Sequence, residues 1–390
     1  MSAASGGALP GTSSKTSRGP SDGALSGIRV LDLSSRLSGA FCGRLLGDMG
    51  ADVVLVEDAE GHALRGHAPF LDGEAGVERS LLHHYANFNK RSTVLPAGDE
   101  RLTDLLVRAD VVLVNDRATL EAARPHTSER AILAAITPYG LTGPRADAPG
   151  NDLTAYAASG WASMNGEEGK PPLKGSMNQV GYLSGLLAYN GIVAALVERD
   201  TSGLGQDLDV SELECLTLVA GPNLLAATYE GRSGDRALPD IFGGPVPTRD
   251  GYISITFSRA HFWRDAMNAL GLPELAEDPR YIDTWTRRQY RGELAPQIEA
   301  QVADRERWEV FELLSTLRCV CGVVLDVSDL ATNEHLHERE ALVETNVLGR
   351  TVKMPGAPFK LSATPWVQRR PAPCLGEHTA EVLADWKAAQ

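Results

Sequence analysis

The stretch from Ile28 to Glu57 constrains the chain most. Ile28-Arg-Val-Leu-Asp-Leu33 is a compact apolar run, Ser38–Met49 has helical spacing and stops at Gly50, and Ala51-Asp-Val-Val-Leu-Val-Glu57 is rich in β-branched residues. Strand, helix and strand in so short a length predict a right-handed βαβ unit with parallel strands. The alternation continues. The pattern predicts a helix over Leu102–Arg108, strands over Asp110–Val114 and Ala131–Thr137, and a helix over Leu183–Arg199. A strand over Gln206–Val210 and a helix over Leu213–Thr228 follow. Alternating elements of this kind predict a doubly wound α/β sheet with helices on both faces.

At 390 residues the chain exceeds what one core usually organises, so two domains are expected. The texture changes after residue 230. Gly251–Phe257 reads as a strand, and amphipathic helices are expected around His261–Leu270, Arg291–Ala303 and Arg307–Leu317. The expected division is a large domain over 25–229, a smaller α+β domain over 230–325, and a segment over 326–390 returning to the large domain. That last segment is proline-rich and offers one helix, Thr379–Lys387. Residues 1–24, with little apolar content and much Gly and Ser, are expected to be a disordered tail. They have no apolar core of a secretory signal, and no stretch approaches ~20 uninterrupted apolar residues, so neither export nor a membrane span is expected.

A net charge of −14 argues against nucleic acid or anionic membrane as a partner, since both require a cationic surface. Five scattered cysteines match no disulfide framework, which suits a reducing cytoplasm. Cys319-Val-Cys321 has no companion pair, and the His residues of Asn333-Glu-His-Leu-His337 and His83-His84 do not share a helix face, so no metal site is expected. The loop after the first strand, Ser34-Ser-Arg-Leu-Ser-Gly39, lacks the G-x-G-x-x-G fingerprint. Its position still suits a ligand carrying phosphate, because open sheets bind ligands beyond their carboxyl ends, beside helix N-termini.

Several strings together carry a resemblance. They begin with Leu25-Ser-Gly-Ile-Arg-Val-Leu-Asp-Leu33 and Arg44-Leu-Leu-Gly-Asp-Met-Gly-Ala-Asp-Val53. Asn87-Phe-Asn-Lys-Arg-Ser92, Ala109-Asp-Val-Val-Leu-Val-Asn115, Pro138-Tyr-Gly-Leu-Thr-Gly-Pro144 and Pro149-Gly-Asn-Asp152 follow in order. Ile192–Arg199, Gly203-Leu-Gly-Gln206, Pro355-Gly-Ala-Pro-Phe-Lys360 and Leu375-Gly-Glu-His-Thr379 complete the set. The chain resembles the class III CoA transferases, the group of carnitine-CoA and formyl-CoA transferases and 2-methylacyl-CoA racemase. The resemblance implies a large Rossmann-like domain, a smaller domain and an interlocked dimer. It also implies acyl-CoA and a carboxylic acid as substrates, no bound cofactor, and an aspartate that attacks the thioester.

That aspartate lies ten residues before the glycine opening the family's I-x-A-A-L segment. Here the glycine is Gly191, and the position falls on Gly181. If Gly181 has a left-handed backbone, a side chain there would be strained. No Asp or Glu occurs from Asn178 to Asn190. Asp152 survives at another family carboxylate position, and serves either chemistry or as the N-cap of a helix over Leu153–Ala158. The basic residue expected after Glu57 is Asp58. What remains for CoA contact is Arg36, Leu37 and Ser38, with Leu95, Asn115, Arg117 and Arg124. Three alternatives stay open: a transferase with a displaced or unconventional carboxylate, a silent subunit in a heterodimer with an intact paralogue, or an acyl-CoA isomerase, racemase or lyase. The assembly is accordingly expected to be a homodimer or a heterodimer with a paralogue.

Overall fold

The computed structural model describes residues 23–387 apart from 97, 167–168, 232–240, 243 and 258–259. The expected tail therefore lies, except for its last two residues, outside the described residues. In chain order the first elements are β1 (Arg29–Asp32), α1 (Leu37–Asp48), β2 (Asp52–Glu57), α2 (Leu81–Ala86), β3 (Lys90–Val94) and α3 (Glu100–Leu106). Next come β4 (Val111–Val114), α4 (Arg117–Ala123), β5 (Ile132–Thr137), α5 (Asp152–Ala158) and the single turn α6 (Trp161–Met164). They are followed by α7 (Gln179–Ser202), β6 (Asp207–Ser211) and α8 (Glu212–Val219).

The chain divides into two compact units. The first takes the described residues up to Ser159, then Ser176–Val219 and those from Ala341; the second takes Gly160–Gly175 and Ala220–Glu340. These limits differ from the expected 229/230 and 325/326 borders. The second unit gains 160–175, 220–229 and 326–340.

The first unit is built on a parallel sheet of order β3-β2-β1-β4-β5-β6. Val30 pairs with Val53 on one side and Val111 on the other, and Val111 with Ile132. On one face Val30, Val53, Val111, Ile132 and Ile136 pack with Cys42 and Leu46 of α1 and with Ala188, Ile192 and Leu196 of α7. On the other, Leu31, Val54, Val112 and Leu133 pack with Leu105, Leu106 and Trp386. Burial on both faces is why the strands read as continuous apolar runs rather than alternating ones. By length and composition alone α7 could cross a bilayer, which the sequence reading missed. Its Ala188, Ile192, Ala195 and Leu196 are instead buried in the sheet's core, and its buried Arg199 pairs with Asp110 at 2.9 Å.

Two local expectations are corrected. The single helix over 213–228 is α8 and a separate α9 (Gly221–Glu230), because Pro222 has no N–H to continue the first helix and fits the opening turn of the second. The second unit continues with β7 (Val246–Thr248), β8 (Gly251–Thr256), α10 (Ala260–Ala269), α11 (Pro273–Glu277), α12 (Thr284–Gln289) and α13 (Arg291–Val302). It ends with α14 (Arg307–Thr316), β9 (Val320–Val323), α15 (Val327–Ala331) and α16 (Glu334–Glu338). Its antiparallel sheet β7-β8-β9 and helices enclose Phe257, Trp263, Tyr281, Ile298 and Leu314. The second correction concerns the proline-rich segment, which forms a hairpin, β10 (Leu342–Val347) and β11 (Arg350–Pro355). Leu348 and Gly349 turn it with left-handed backbones, the geometry a two-residue hairpin loop requires. The closing helix α17 (Thr379–Asp385) docks on the first unit, where Arg91 meets Glu381 and Asp385 at 3.0 and 2.8 Å.

Candidate active site

The strand order reverses between β1 and β4, and a crevice beyond their carboxyl ends is the site such a sheet offers to a ligand. A cleft of about 650 Å³ lies there, walled by Ser35 and Arg36 after β1, Asn115–Ala118 after β4, and Pro138 and Ala146–Gly150 after β5.

The β1–α1 loop is held from below. Lys90 is fully buried and donates to Asp32 Oδ2 and Ala40 O at 2.7 Å and to Asn87 Oδ1 at 2.8 Å. Burial pushes the Asp32 carboxyl up, but the adjacent Lys90 ammonium and the Ser34 hydroxyl more than offset it and hold it below its ordinary range. Asp32 Oδ1 in turn accepts from Ser34 N and Ser34 Oγ at 3.0 and 2.6 Å. Gly43 gives this buried pair its room, since a Cβ there would lie 2.9 Å from both Asp32 Oδ2 and Lys90 Nζ.

Asn115 holds the same loop from the side. Its Oδ1 accepts from Ser35 N and Arg36 N at 2.8 and 2.9 Å, and its Nδ2 donates to Ile136 O at 2.7 Å. The amide is thereby used on protein partners. Arg36 donates through Nε and Nη2 to Glu212 at 3.2 and 2.6 Å and through Nη1 to Gly150 O at 2.9 Å. Ser38 Oγ donates to Glu212 Oε1 at 2.7 Å. Glu212, which sequence reasoning did not single out, is buried in the first turn of α8, where a carboxylate complements the helix dipole.

Gly181 lies in the first turn of α7 with a backbone outside the left-handed region, so the possibility of backbone strain there is set aside. What faces it is Leu37: a Cβ on Gly181 would stand 3.0–3.1 Å from that side chain. Asp152 is not an N-cap of α5. Asn151 fills that role, accepting from Thr154 N while Thr154 Oγ1 accepts from Asn151 N. Asp152 points elsewhere. Its Oδ1 accepts from Val180 N at 2.9 Å and from Gly181 N at 3.4 Å, which places a carboxylate on the N-terminus of α7. Beside it the Tyr182 phenol is pushed up to about 12, by burial first and then by Tyr85 and Asp152.

The predicted contact residues thus separate. Arg36, Leu37, Ser38 and Asn115 converge where α1, α5, α7 and α8 begin, and Arg117 lines the cleft with its guanidinium donating to Leu141 O. Leu95 is buried in the opposite-face core, and Arg124 pairs with Asp207 at 3.1 Å beside a separate shallow cleft. Asp58 is exposed, and its carboxylate accepts from Glu60 N and Gly61 N in a turn. Among the described residues no cluster of three or more His, Cys, Asp or Glu could hold a metal.

Residues 25–379 match CoA-transferase family III. The chain belongs to that family. It is 30% identical over 385 residues to the succinate–glutarate CoA-transferase of Agrobacterium fabrum, with 93% of this chain and 95% of the relative covered. Over 386 residues it is 32% identical to the succinyl-CoA–L-malate CoA-transferase beta subunit of Chloroflexus aurantiacus, covering 93% of each chain. A crystal structure of a CAIB/BAIF family protein from Brucella suis matches with a TM-score of 0.84 at 26% identity, covering 94% of this chain and 100% of that one.

Proposed function

We propose that this chain moves CoA from an acyl-CoA thioester to a carboxylic acid, with Asp152 attacking in place of the carboxylate absent at position 181. The observation that carries the reading is the anchoring of Asp152 Oδ1 by Val180 N and Gly181 N, on the helix that bears position 181. Helix N-terminal amides stabilise an anion and orient it.

The Asp152 carboxylate adds to the thioester carbonyl, the C–S bond breaks, and CoA leaves as thiolate with the electron pair. An aspartyl acyl anhydride remains. The thiolate then attacks the aspartyl carbonyl of the anhydride and releases the acyl carboxylate, leaving aspartyl-CoA. The incoming acid repeats the two steps in reverse, so its acyl-CoA departs and Asp152 is regenerated with no net proton change. The nucleotide of CoA fits the cleft beyond β1 and β4, where no side chain caps the N-terminus of α1 among the described residues.

A second reading has its own support. Leu37 crowds the space a side chain at 181 would take, and relatives include chains named as subunits, the malate transferase beta subunit and the subunit BbsE of a succinyl-CoA:(R)-benzylsuccinate CoA-transferase from Thauera aromatica. In that reading a paralogous partner supplies the nucleophile within a heterodimer. Incubation with succinyl-CoA, borohydride or hydroxylamine trapping and peptide mass spectrometry decide between them. Modification of Asp152 supports the first reading. An unmodified chain that gains transfer only with an aspartate-bearing paralogue supports the second, and no transfer under either condition refutes both.

A further inference from the structure

We infer that Glu212 is a positioning residue for the acyl-CoA site, acting through Arg36; the inference deepens the reading of the sheet's carboxyl edge given above and rests on it. Through backbone and side chain together, Arg36 meets three separate pieces of chain. Its backbone is held by Asn115, its Nη1 reaches Gly150 O, and its other two nitrogens are held by Glu212. Gly150 immediately precedes Asn151 and Asp152, so the Arg36 contact sets the entry of the chain into α5 and hence the direction of Asp152. Gly150 itself lies close against Pro138: a Cβ there would be 2.5 Å from Pro138 Cβ, so the position has no room for a side chain.

Glu212 is 2% exposed and is held on both oxygens, by the Arg36 fork and by Ser38 Oγ. A carboxylate so placed is poorly suited to attack a thioester. It is well suited to lock a guanidinium in one orientation, because the two planar groups match bidentately. The Ser38 bond ties the same carboxylate to the first turn of α1, whose Leu37 faces Gly181. Glu212 therefore sets the spacing between Leu37, Gly150 and the N-terminus of α7 without touching substrate.

The test uses the full-length protein, free coenzyme A as probe, and hydrogen–deuterium exchange read by mass spectrometry. In Glu212→Gln, peptides covering 34–39, 148–153 and 178–184 should exchange about tenfold faster, with those covering β4 and β5 unchanged, as expected of a local opening. Arg36→Lys should do the same although it keeps the charge, because an ammonium cannot reproduce the fork. The double variant Arg36→Met/Glu212→Leu leaves no unpaired charge. It should regain the wild-type melting temperature while keeping fast exchange at 148–153, which a merely structural pair would not do. Coenzyme A should bind each variant about tenfold more weakly than wild type by calorimetry. Wild-type exchange at 148–153 in Glu212→Gln, or full rescue by Arg36→Lys, overturns the inference. Wild-type protein that fails to bind coenzyme A overturns the reading of the cleft instead, and the exchange result still decides the role of Glu212.

Discussion

Acid should unfold this protein through two histidines that fold in their neutral form. His62 and His83 are 6% and 1% exposed and lie beside the Asp32–Lys90 and Glu57–Arg65 pairs. Burial, the dominant cause, pushes His62 down to about 4, with Lys90 and Arg65 acting in the same direction and Asp32 and Glu57 against it. Burial and then the Arg65 guanidinium push His83 down to about 2. Both folded values lie below the ordinary 6.5, so the unfolded chain binds protons that the folded chain refuses. Stability present at neutral pH is therefore lost as pH falls below 6.5, continuing towards pH 4 for His62 and pH 2 for His83. From pH 7.5 to 5.0 each histidine should remove about 2 kcal/mol, since 1.5 pH units at 1.36 kcal/mol per unit lie inside both windows. Together they remove about 4 kcal/mol, a large part of the 5–15 kcal/mol typical of a domain. Asp48, held above the ordinary carboxylate range by burial, works the other way; His378, lowered first by burial, adds to the loss.

His62→Asn isolates one contribution. His62 Nδ1 accepts from Leu64 N at 3.0 Å, and an asparagine oxygen can keep that bond without titrating. Urea unfolding of the wild type and His62→Asn at pH 7.5 and 5.0 gives the two losses directly. The variant should lose about 2 kcal/mol less than wild type across the interval. Equal losses would show that His62 does not fold neutral and would refute the argument.

Three further outcomes follow from packing. Gly181→Asp should cost about 1–3 kcal/mol by urea unfolding through overpacking on Leu37, and adding Leu37→Ala should recover part of it; no loss in the single variant would mean the helix moves freely. Gly43→Ala should split the buried Lys90–Asp32 pair and cost about 3–5 kcal/mol, read as a fall in denaturation midpoint, and a midpoint equal to wild type would contradict it. Asn151→Ala removes the capping box of α5 and should cost about 1 kcal/mol without the pH dependence expected of an ionised cap, whereas a pH-dependent cost would return the cap to Asp152.

The parallel sheet was legible because strands buried on both faces leave uninterrupted apolar runs, as in Val111–Val114 and Ile132–Thr137. The hairpin β10–β11 was not, since its strands are half exposed and Glu344, Asn346 and Lys353 break up their apolar residues. The break between α8 and α9 was hidden for a different reason. Proline is tolerated in a first helical turn, so Pro222 alone does not say whether a helix bends or restarts.

At the site, legibility followed distance along the chain. Gly181 was reached by counting back from Gly191 along the pattern of the family the chain resembles, a spacing that needs no tertiary contact. Asp152 was half read: its place beside a helix start was visible, but its partners are amides 28 and 29 residues away, and the cap belongs to its neighbour Asn151. Glu212 was not read at all. An acid in the first turn of a helix ordinarily serves the dipole, and nothing nearby hints that its carboxylate meets Arg36, 176 residues earlier. That meeting depends on β1 and β6 lying in one sheet with their carboxyl ends on the same edge, which delivers the starts of α1 and α8 to one place. A charge pair of this kind is a product of topology, so it becomes visible only once the strand order is known. Leu95 and Arg124 lie apart from the other expected contacts for local reasons: Leu95 follows β3 and is buried in the opposite-face core, whereas Arg124 follows helix α4 and lines a separate cleft.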